Sequence, residues 1–213
     1  MKHSFNSNQK CRFCEIIKNG NNDKVNDIDR PIYKSENYIA LASIGAIIEG
    51  WTLIIPEKHV FSMNEIYSDV DFIQFTNKII DKIKSVYKKK CIIFEHGANR
   101  KGSLISCGTD HGHLHILPYE ISLLSDIKKD NKKWIECTSK EIEGLVNKKE
   151  YWFYAENVCN VDDVLGYLHI IESPESQFFR KIIAEKENCL EMFSYKEFDF
   201  IENSLSTYEK LLR

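Results

Sequence analysis

The sequence lacks three features that would each point to a particular class of protein. It has no excess of positive charge, because 29 lysine and arginine residues are outweighed by 32 aspartate and glutamate residues. It does not begin with the charged, apolar and small-residue segments of a secretory signal. It also contains no internal repeat, low-complexity tract or linker. We therefore expect a cytoplasmic protein with neither a nucleic-acid nor a membrane partner.

No apolar run suits a membrane-spanning helix. Residues 38–56 approach the required length. However, Glu49 lies near the middle of this run and would cost about 3 kcal/mol in hydrocarbon. Gly45 and Gly50 also interrupt the run, so it is better interpreted as two buried strands around a turn.

Cysteine occurs seven times, and an odd number without a secretory signal argues against an extracellular disulfide framework. Cys11 and Cys14 form a Cys-x-x-Cys pair, which on its own is a weak metal-binding signal. Two small apolar contacts on a short helix would give the same pattern. Four other cysteines have no partner spacing and are expected to be buried thiols: Cys91, Cys137, Cys159 and Cys189.

Short apolar runs bounded by turn residues predict seven strands, at residues 32–34, 38–43, 51–55, 91–95, 113–117, 151–155 and 164–171. Apolar residues at spacings of three and four predict a helix between Asp69 and Lys90. Proline in Ser173-Pro174 predicts a second helix start. Capping boxes predict two more, at Thr138 with Glu141 and at Ser194 with Glu197, the last with one apolar face formed by Phe198, Ile201, Leu205, Tyr208 and Leu212. The fold class is α+β.

Residues 110–118 read DHGHLHILP and place histidine at every second position. In a strand, His111, His113 and His115 would share one face at intervals of roughly 7 Å. Each buried imidazole needs partners for both ring nitrogens, so three in register indicate a functional site. A single histidine on an apolar strand is usually structural. We expect that structural role for His3, His96 and His169.

Two kinds of chemistry suit such a row of imidazoles. Histidines at alternate strand positions could ligate one catalytic metal ion, as in a metallohydrolase. Alternatively, one neutral imidazole could attack an electrophilic phosphorus while its neighbours stabilise the charge that develops on oxygen. A third interpretation is a non-catalytic module that senses nucleotides or takes part in RNA processing.

The segment His111-Gly112-His113-Leu114-His115 resembles the motif of the histidine triad (HIT) superfamily. Residues 50–59 (GWTLIIPEKH) resemble its strand ending in Ile-Pro-x-x-His, and residues 11–17 (CRFCEII) resemble its N-terminal Cys-x-x-Cys opening. The resemblance implies an α+β fold with an antiparallel sheet and flanking helices, usually paired as a homodimer. It assigns residues 1–120 to a catalytic domain. Residues 121–213 would then form an α/β extension packed on the same core.

The resemblance also implies roles for individual residues. His113 would attack the α-phosphorus of a small-molecule nucleotide and form a nucleotidyl-histidine intermediate, which water or another acceptor would resolve. His115 would donate a hydrogen bond to a phosphoryl oxygen or to the leaving group. The activity implied is that of a nucleotide hydrolase or nucleotidyltransferase. In zinc-bearing relatives a closed structural zinc site occurs, which here would use Cys11, Cys14, His59 and His111.

Several segments depart from the common HIT pattern. Ser43-Ile44-Gly45 stands where many relatives have an aspartate for the ribose hydroxyls, and Glu95 stands where smaller relatives have asparagine. The usual Gly-Gln-Ser run is replaced by residues 106–110. Its backbone N–H groups could still cradle a phosphate. The expected substrate-binding residues are therefore Ser103, Ser106, Cys107 and Gly108, joined by Gln177 and Arg180 from the predicted helix after Pro174.

Overall fold

A computed structural model describes residues 11–19, 27–106, 109–129 and 132–213. These residues contain eight strands, namely β1 Tyr33–Lys34, β2 Tyr38–Ala42, β3 Thr52–Pro56, β4 Cys91–Gly97, β5 Leu114–Pro118, β6 Ile135–Thr138, β7 Tyr151–Val158 and β8 Leu165–Ile170. The strands form one antiparallel sheet in the order β1-β2-β3-β5-β4-β7-β8-β6. Because β4 pairs with β5 on one side and with β7 on the other, the sheet continues without a break from β5 into the strands that follow residue 120.

Six α-helices flank the sheet within the described ranges. They are α1 Arg12–Asn19, α2 Val70–Tyr87, α3 Leu124–Ile127, α4 Ile142–Val146, α5 Phe178–Lys186 and α6 Ile201–Leu212. None of them is both long and apolar enough to cross a membrane. Residues 38–56 instead form the paired strands β2 and β3, as predicted.

The sheet is buried on both faces, which explains why its central strands are apolar at nearly every position. On one face, Leu114 and Ile116 pack in the core that includes Phe72 and Ile80 of α2. The opposite core contains Phe94 of β4, together with residues of α1 and α5. Alternation along β5 therefore turns His115 toward the α1 and α5 side, away from Leu114 and Ile116.

The predicted helix between Asp69 and Lys90 is confirmed. Asp69 caps α2 by accepting hydrogen bonds from the backbone N–H groups of Asp71 and Phe72, and Lys88 ends the helix in the left-handed conformation at a φ of 55°. All seven predicted strands are found, within two or three residues of their expected ends. The strand β6 was not predicted, because it pairs only with β8 at the sheet edge and is only partly buried.

The predicted helix start at Ser173-Pro174 is wrong. Helix α5 begins at Phe178, after Gln177, which adopts the left-handed conformation at a φ of 58°. The Gln177 side chain accepts a hydrogen bond from the backbone N–H of Tyr195. A hydrogen bond between distant segments therefore stabilises the start of α5 at this position, and the local proline does not determine where the helix begins.

The predicted start of the last helix is also wrong. The carbonyl of Ser194 accepts hydrogen bonds from Glu197 and Phe198, which closes a single turn, and α6 begins only at Ile201. The predicted apolar face is not the buried one, since Ile201 and Leu212 are 40% and 57% exposed. The buried face consists of Ser204, Thr207 and Leu211.

The polar face of α6 is buried because its hydroxyl groups form hydrogen bonds with the connection between β2 and β3. Ser204 Oγ donates to the carbonyl oxygen of Ser43 at 2.6 Å, and the backbone N–H of Gly50 donates to Thr207 Oγ1 at 2.8 Å. Buried polar groups are satisfied there, so a polar helix face can be the inner one. The capping box of Thr138 and Glu141 is confirmed, although it opens a 3-10 turn.

Two of the predicted buried thiols have the expected environment, because Cys91 and Cys137 are buried. Cys159 is exposed in the bend after β7, and Cys189 is only partly buried, so the prediction is wrong for these two. His169 has the expected structural role, since its Nδ1 bonds the carbonyl of Lys133 at 2.9 Å. His3 lies outside the described residues.

Candidate active site

A cavity of about 260 Å³ opens on the α1 and α5 side of the sheet. All three histidines of the triad segment line it. Strand β5 begins at Leu114, so His115 lies within the strand whereas His111 and His113 lie on the segment leading into it. The imidazole rings of His113 and His115 are close neighbours, with centroids 4.7 Å apart.

One hydrogen bond determines the tautomer of His113. Its Nδ1 lies 2.8 Å from the carbonyl oxygen of His111. A carbonyl can only accept, so Nδ1 carries the hydrogen and Nε2 keeps its lone pair. Burial lowers the pKa of His113, which keeps the ring neutral at neutral pH. The side chain therefore presents a neutral nucleophilic nitrogen.

His115 has the opposite arrangement. The indole Nε1 of Trp51 donates to Nδ1 of His115 at 2.9 Å, so the hydrogen of the neutral ring must be on Nε2. The ring also stacks on Phe94, with centroids 4.4 Å apart. Burial holds the pKa of His115 well below its usual range. The two neighbouring rings are thus complementary, because His113 offers a lone pair and His115 offers a donor.

The four predicted zinc ligands are brought together, and their ligand atoms all lie within 4.8 Å of one another. Cys11 Sγ and Cys14 Sγ are 3.5 and 3.6 Å from His111 Nδ1, and Cys14 Sγ is 3.2 Å from His59 Nδ1. A tetrahedral zinc site with Zn–S of about 2.3 Å and Zn–N of about 2.0 Å separates sulfur from nitrogen by about 3.5 Å.

The environment of His111 also suits a metal ligand. Its Nε2 lies 2.9 Å from the carbonyl oxygen of Pro56, so Nε2 carries the hydrogen and the lone pair of Nδ1 faces the two sulfur atoms. Such a second hydrogen bond orients a metal-binding imidazole. The donor set, its spacing and this tautomer all fit a closed Cys2His2 site.

The predicted phosphate-binding segment is only partly described. Cys107 and Gly108 lie outside the described residues. Ser106 lines the cavity, and its Oγ lies 2.8 Å from Asp110 Oδ1. Ser103 is buried, and its Oγ accepts a hydrogen bond from the backbone N–H of Ile105. The structure therefore brings Ser106 to the cavity wall, whereas Ser103 supports the turn behind it.

Gln177 and Arg180 also line the cavity, at the start of α5. Arg180 is only 5% exposed. Its guanidinium donates to the carbonyl oxygens of Gly45 and Phe193 and stacks over Trp51 at 4.9 Å. The side chain thus cross-links three segments of the cavity wall as well as carrying a positive charge there.

His96 is a cavity residue that the sequence analysis did not assign to the site. It lines the cavity on β4, with its ring centroid 6.0 Å from that of His115. Strand alternation places residue 96 on the same face as residue 94, but only the pairing of Phe94 with His115 shows that this face meets the cavity. Glu95 points to the opposite face, where it accepts hydrogen bonds from Tyr67 and Tyr151.

An antiparallel α+β sheet that presents alternating histidines to a cavity defines a histidine-triad type of protein. Comparisons with known proteins agree with this class. Residues 26–121 match the family model described as the HIT domain. The match covers a little under half of the 213 residues and identifies residues 26–121 as a divergent HIT domain.

Two proteins of known sequence and one of known structure are similar to this chain and carry HIT names. An uncharacterised HIT-like protein of Methanocaldococcus jannaschii is 29% identical over 110 residues, which is 51% of this chain and 78% of that protein. The protein hit of Bacillus subtilis is 26% identical over 113 residues, or 52% of this chain and 71% of the relative. A crystal structure of a HIT family member from Bacillus subtilis aligns with a TM-score of 0.39 and 20% identity, over 58% of this chain and 89% of that one.

Proposed function

We propose that this protein is a nucleotide hydrolase or nucleotidyltransferase. It releases a nucleoside 5′-monophosphate from a phosphate-linked leaving group through a nucleotidyl intermediate on His113. The observation that carries the proposal is the pair of complementary tautomers. His113 presents an Nε2 lone pair, and the neighbouring His115 presents an Nε2–H donor.

In the first step, Nε2 of His113 attacks the α-phosphorus, and a new P–N bond forms as the bond to the leaving group breaks. The leaving group departs with the bonding electron pair. The His113 ring becomes positively charged, and the His111 carbonyl, which accepts from Nδ1–H, stabilises that charge. In the second step, water attacks the phosphorus and gives one proton to the departed leaving group or to solvent, while the P–N bond breaks and its electron pair returns to Nε2. The monophosphate is released and neutral His113 is regenerated.

His115 acts as a hydrogen-bond donor in both steps. Its Nε2–H is directed to an oxygen of the phosphoryl group or of the leaving group, where negative charge increases in the transition state. The donor is neutral and held rigidly by Trp51 and Phe94, so little reorganisation is needed when the charge develops.

We further propose a structural zinc ion held by Cys11, Cys14, His59 and His111. When bound, the ion supplies a cross-link and no open coordination position. It ties α1 to the segment that precedes β5. Phe13, between the two cysteines, packs edge-on against His113 with ring centroids 5.3 Å apart. The same segment of α1 is thus placed to orient the nucleophile.

The contacts of His111 favour this function over a metallohydrolase that uses His111, His113 and His115 as catalytic ligands. The Nδ1 of His111 faces two cysteine sulfurs, and the Nδ1 atoms of His113 and His115 already have hydrogen-bond partners. The family resemblance supports three further proposals, namely a small-molecule nucleotide as substrate, a cytoplasmic location and a homodimer.

A rapid-quench experiment tests the proposed reaction. The protein is screened with dinucleoside polyphosphates, nucleoside phosphoramidates, nucleotide sugars and adenylated nucleic-acid ends. We expect one class to give an acid-labile, base-stable adduct on His113. His113→Ala should lose at least about three orders of magnitude in turnover while nucleotide binding stays within a few-fold. Turnover that needs an added divalent metal and gives no adduct would support a metallohydrolase, and binding without any turnover would support a non-catalytic module.

A further inference from the structure

His96 is a fourth histidine at the cavity, and the reaction described above does not use it. Its ring is held by two aromatic side chains, Phe94 and Phe179, with centroid distances of 5.7 and 5.2 Å and nearly edge-on contacts. A ring packed in this way cannot move freely. His96 therefore has a fixed position at the cavity wall.

One nitrogen of this ring is left without a partner. The Nε2 of His96 is buried and makes no hydrogen bond with any described residue. A buried polar atom without a partner costs about 1–3 kcal/mol. A phenylalanine at the same position would pack against Phe94 and Phe179 without that cost. The imidazole is thus poorly explained by packing alone.

The position of His96 is set by the sheet. Phe94 of β4 is paired with His115 of β5, and His96 lies two residues further along the same face of β4, with its ring centroid 6.0 Å from that of His115. The ring of His115 thus has His96 as one neighbour and His113 as another, at 4.7 Å, and all three side chains line the cavity. Burial lowers the pKa of His96 to about 3, so the ring is neutral, with one N–H donor and one acceptor.

The charge of the cavity indicates which group this ring meets. Arg180 contributes positive charge to the cavity wall, Arg12 is a second cation there that is ion-paired with Asp29, and no carboxylate side chain is found among the described residues that line the cavity. A ligand with an anionic oxygen would complement the charge of this wall. A neutral imidazole has an N–H group that suits such an oxygen.

We propose that His96 is a further substrate-contacting residue, whose ring N–H donates a hydrogen bond to a non-bridging oxygen of the phosphoryl group bound at His113. This inference depends on the proposed function, since it concerns the same phosphoryl group. With His96 and His115 on neighbouring strands, two neutral donors approach the phosphoryl oxygens from the sheet side of the cavity.

The test compares His96→Phe with the unaltered protein. We expect a loss of tenfold to a hundredfold in kcat/KM on the substrate found in the product screen. The melting temperature should stay the same or rise, because the unpartnered nitrogen is removed. His96→Asn, which restores a side-chain N–H donor, should recover part of the loss. The matched control is His169→Phe on β8, whose ring contacts lie away from the cavity-lining residues and which should keep full activity.

Binding separates failure of this inference from failure of the proposed function. Calorimetry with AMP, GMP, CMP, UMP and inorganic phosphate measures phosphoryl recognition without any turnover. Weaker binding by His96→Phe supports the contact even if no adduct forms on His113. Unchanged binding and unchanged kcat/KM in His96→Phe would overturn the inference while leaving His113 as the nucleophile. A fall in melting temperature with no effect on folded-state kinetics would mean that His96 is structural, and no binding of any probe by the unaltered protein would overturn both proposals.

Discussion

The indole N–H of Trp51 donates to Nδ1 of His115 over 2.9 Å, between two side chains that are 0% and 9% exposed. An indole nitrogen can only donate, so this contact leaves His115 one neutral tautomer. The tautomer of His115 on β5 therefore depends on Trp51, which immediately precedes β3 and does not itself line the cavity.

Trp51→Phe tests this dependence, because it removes the donor and keeps an aromatic ring in the core. We expect kcat/KM to fall about tenfold to a hundredfold, since both tautomers of His115 become accessible. Nitrogen-15 NMR of the His115 ring should show a mixture of tautomers in place of the Nε2–H form. Trp134→Phe, which removes a bond to the carbonyl of Ile127, is the matched control and should leave kcat/KM unchanged. A pure Nε2–H tautomer in Trp51→Phe would contradict the assigned role.

Cys14→Ser tests the structural zinc site. Protein purified without chelators should contain about one zinc per chain, and the variant should lose it together with several kcal/mol of stability, because structural zinc binding is coupled to folding. Metal analysis and thermal unfolding measure the two effects. The control is Cys159→Ser, which changes an exposed thiol after β7 and should retain the metal. An unaltered protein without zinc would contradict the proposed site and leave the nucleophile proposal intact.

Arg180→Ala should reduce both stability and activity. Its guanidinium bonds the carbonyl oxygens of Gly45 and Phe193 from a buried position, so its removal should cost about 2–4 kcal/mol in unfolding free energy. At a temperature where the variant remains folded, we expect kcat/KM to fall about tenfold if the charge also contacts phosphate. Lys181→Ala, which removes a partly exposed ion pair with Glu175, should change unfolding free energy by about 1 kcal/mol or less. Full activity in folded Arg180→Ala would limit this residue to a structural role.

Glu95 should make stability depend on pH. Its carboxyl group accepts hydrogen bonds from the Met63 N–H and from two tyrosine hydroxyls, yet complete burial raises its pKa to about 7. The unfolded value is about 4.3, so folding favours the protonated form. The stabilisation is full below about pH 4.3 and is lost as pH rises to about 7.

Glu95→Gln should remove this dependence. Between pH 5 and pH 8, the unaltered protein should lose about 2–3 kcal/mol relative to the variant. Urea unfolding at the two pH values measures the difference. Glu143→Gln, at an exposed position in α4, is the control and should follow the unaltered protein. Equal pH dependence in Glu95→Gln and the unaltered protein would show that the carboxyl group keeps an ordinary pKa.

The strand pattern and the row of histidines could be predicted because both depend on local periodicity. Apolar runs of strand length, alternation in residues 110–118 and the apolar spacing between Asp69 and Lys90 are properties of neighbouring residues, and the corresponding strands and α2 are present. The proximity of Cys11, Cys14, His59 and His111 was expected from the family motif, and the four side chains do converge.

Only the tertiary structure decided the tautomers, the inner face of α6 and the place of His96. Trp51 meets His115 because β3 pairs with β5, a contact between residues 64 positions apart in the chain. Ser204 and Thr207 are buried because their hydroxyls bond the β2–β3 connection, although local hydrophobicity favours another face. His96 joins the cavity because β4 lies beside β5. A sequence states which groups are available, but hydrogen bonds between distant strands determine which partner each buried group has.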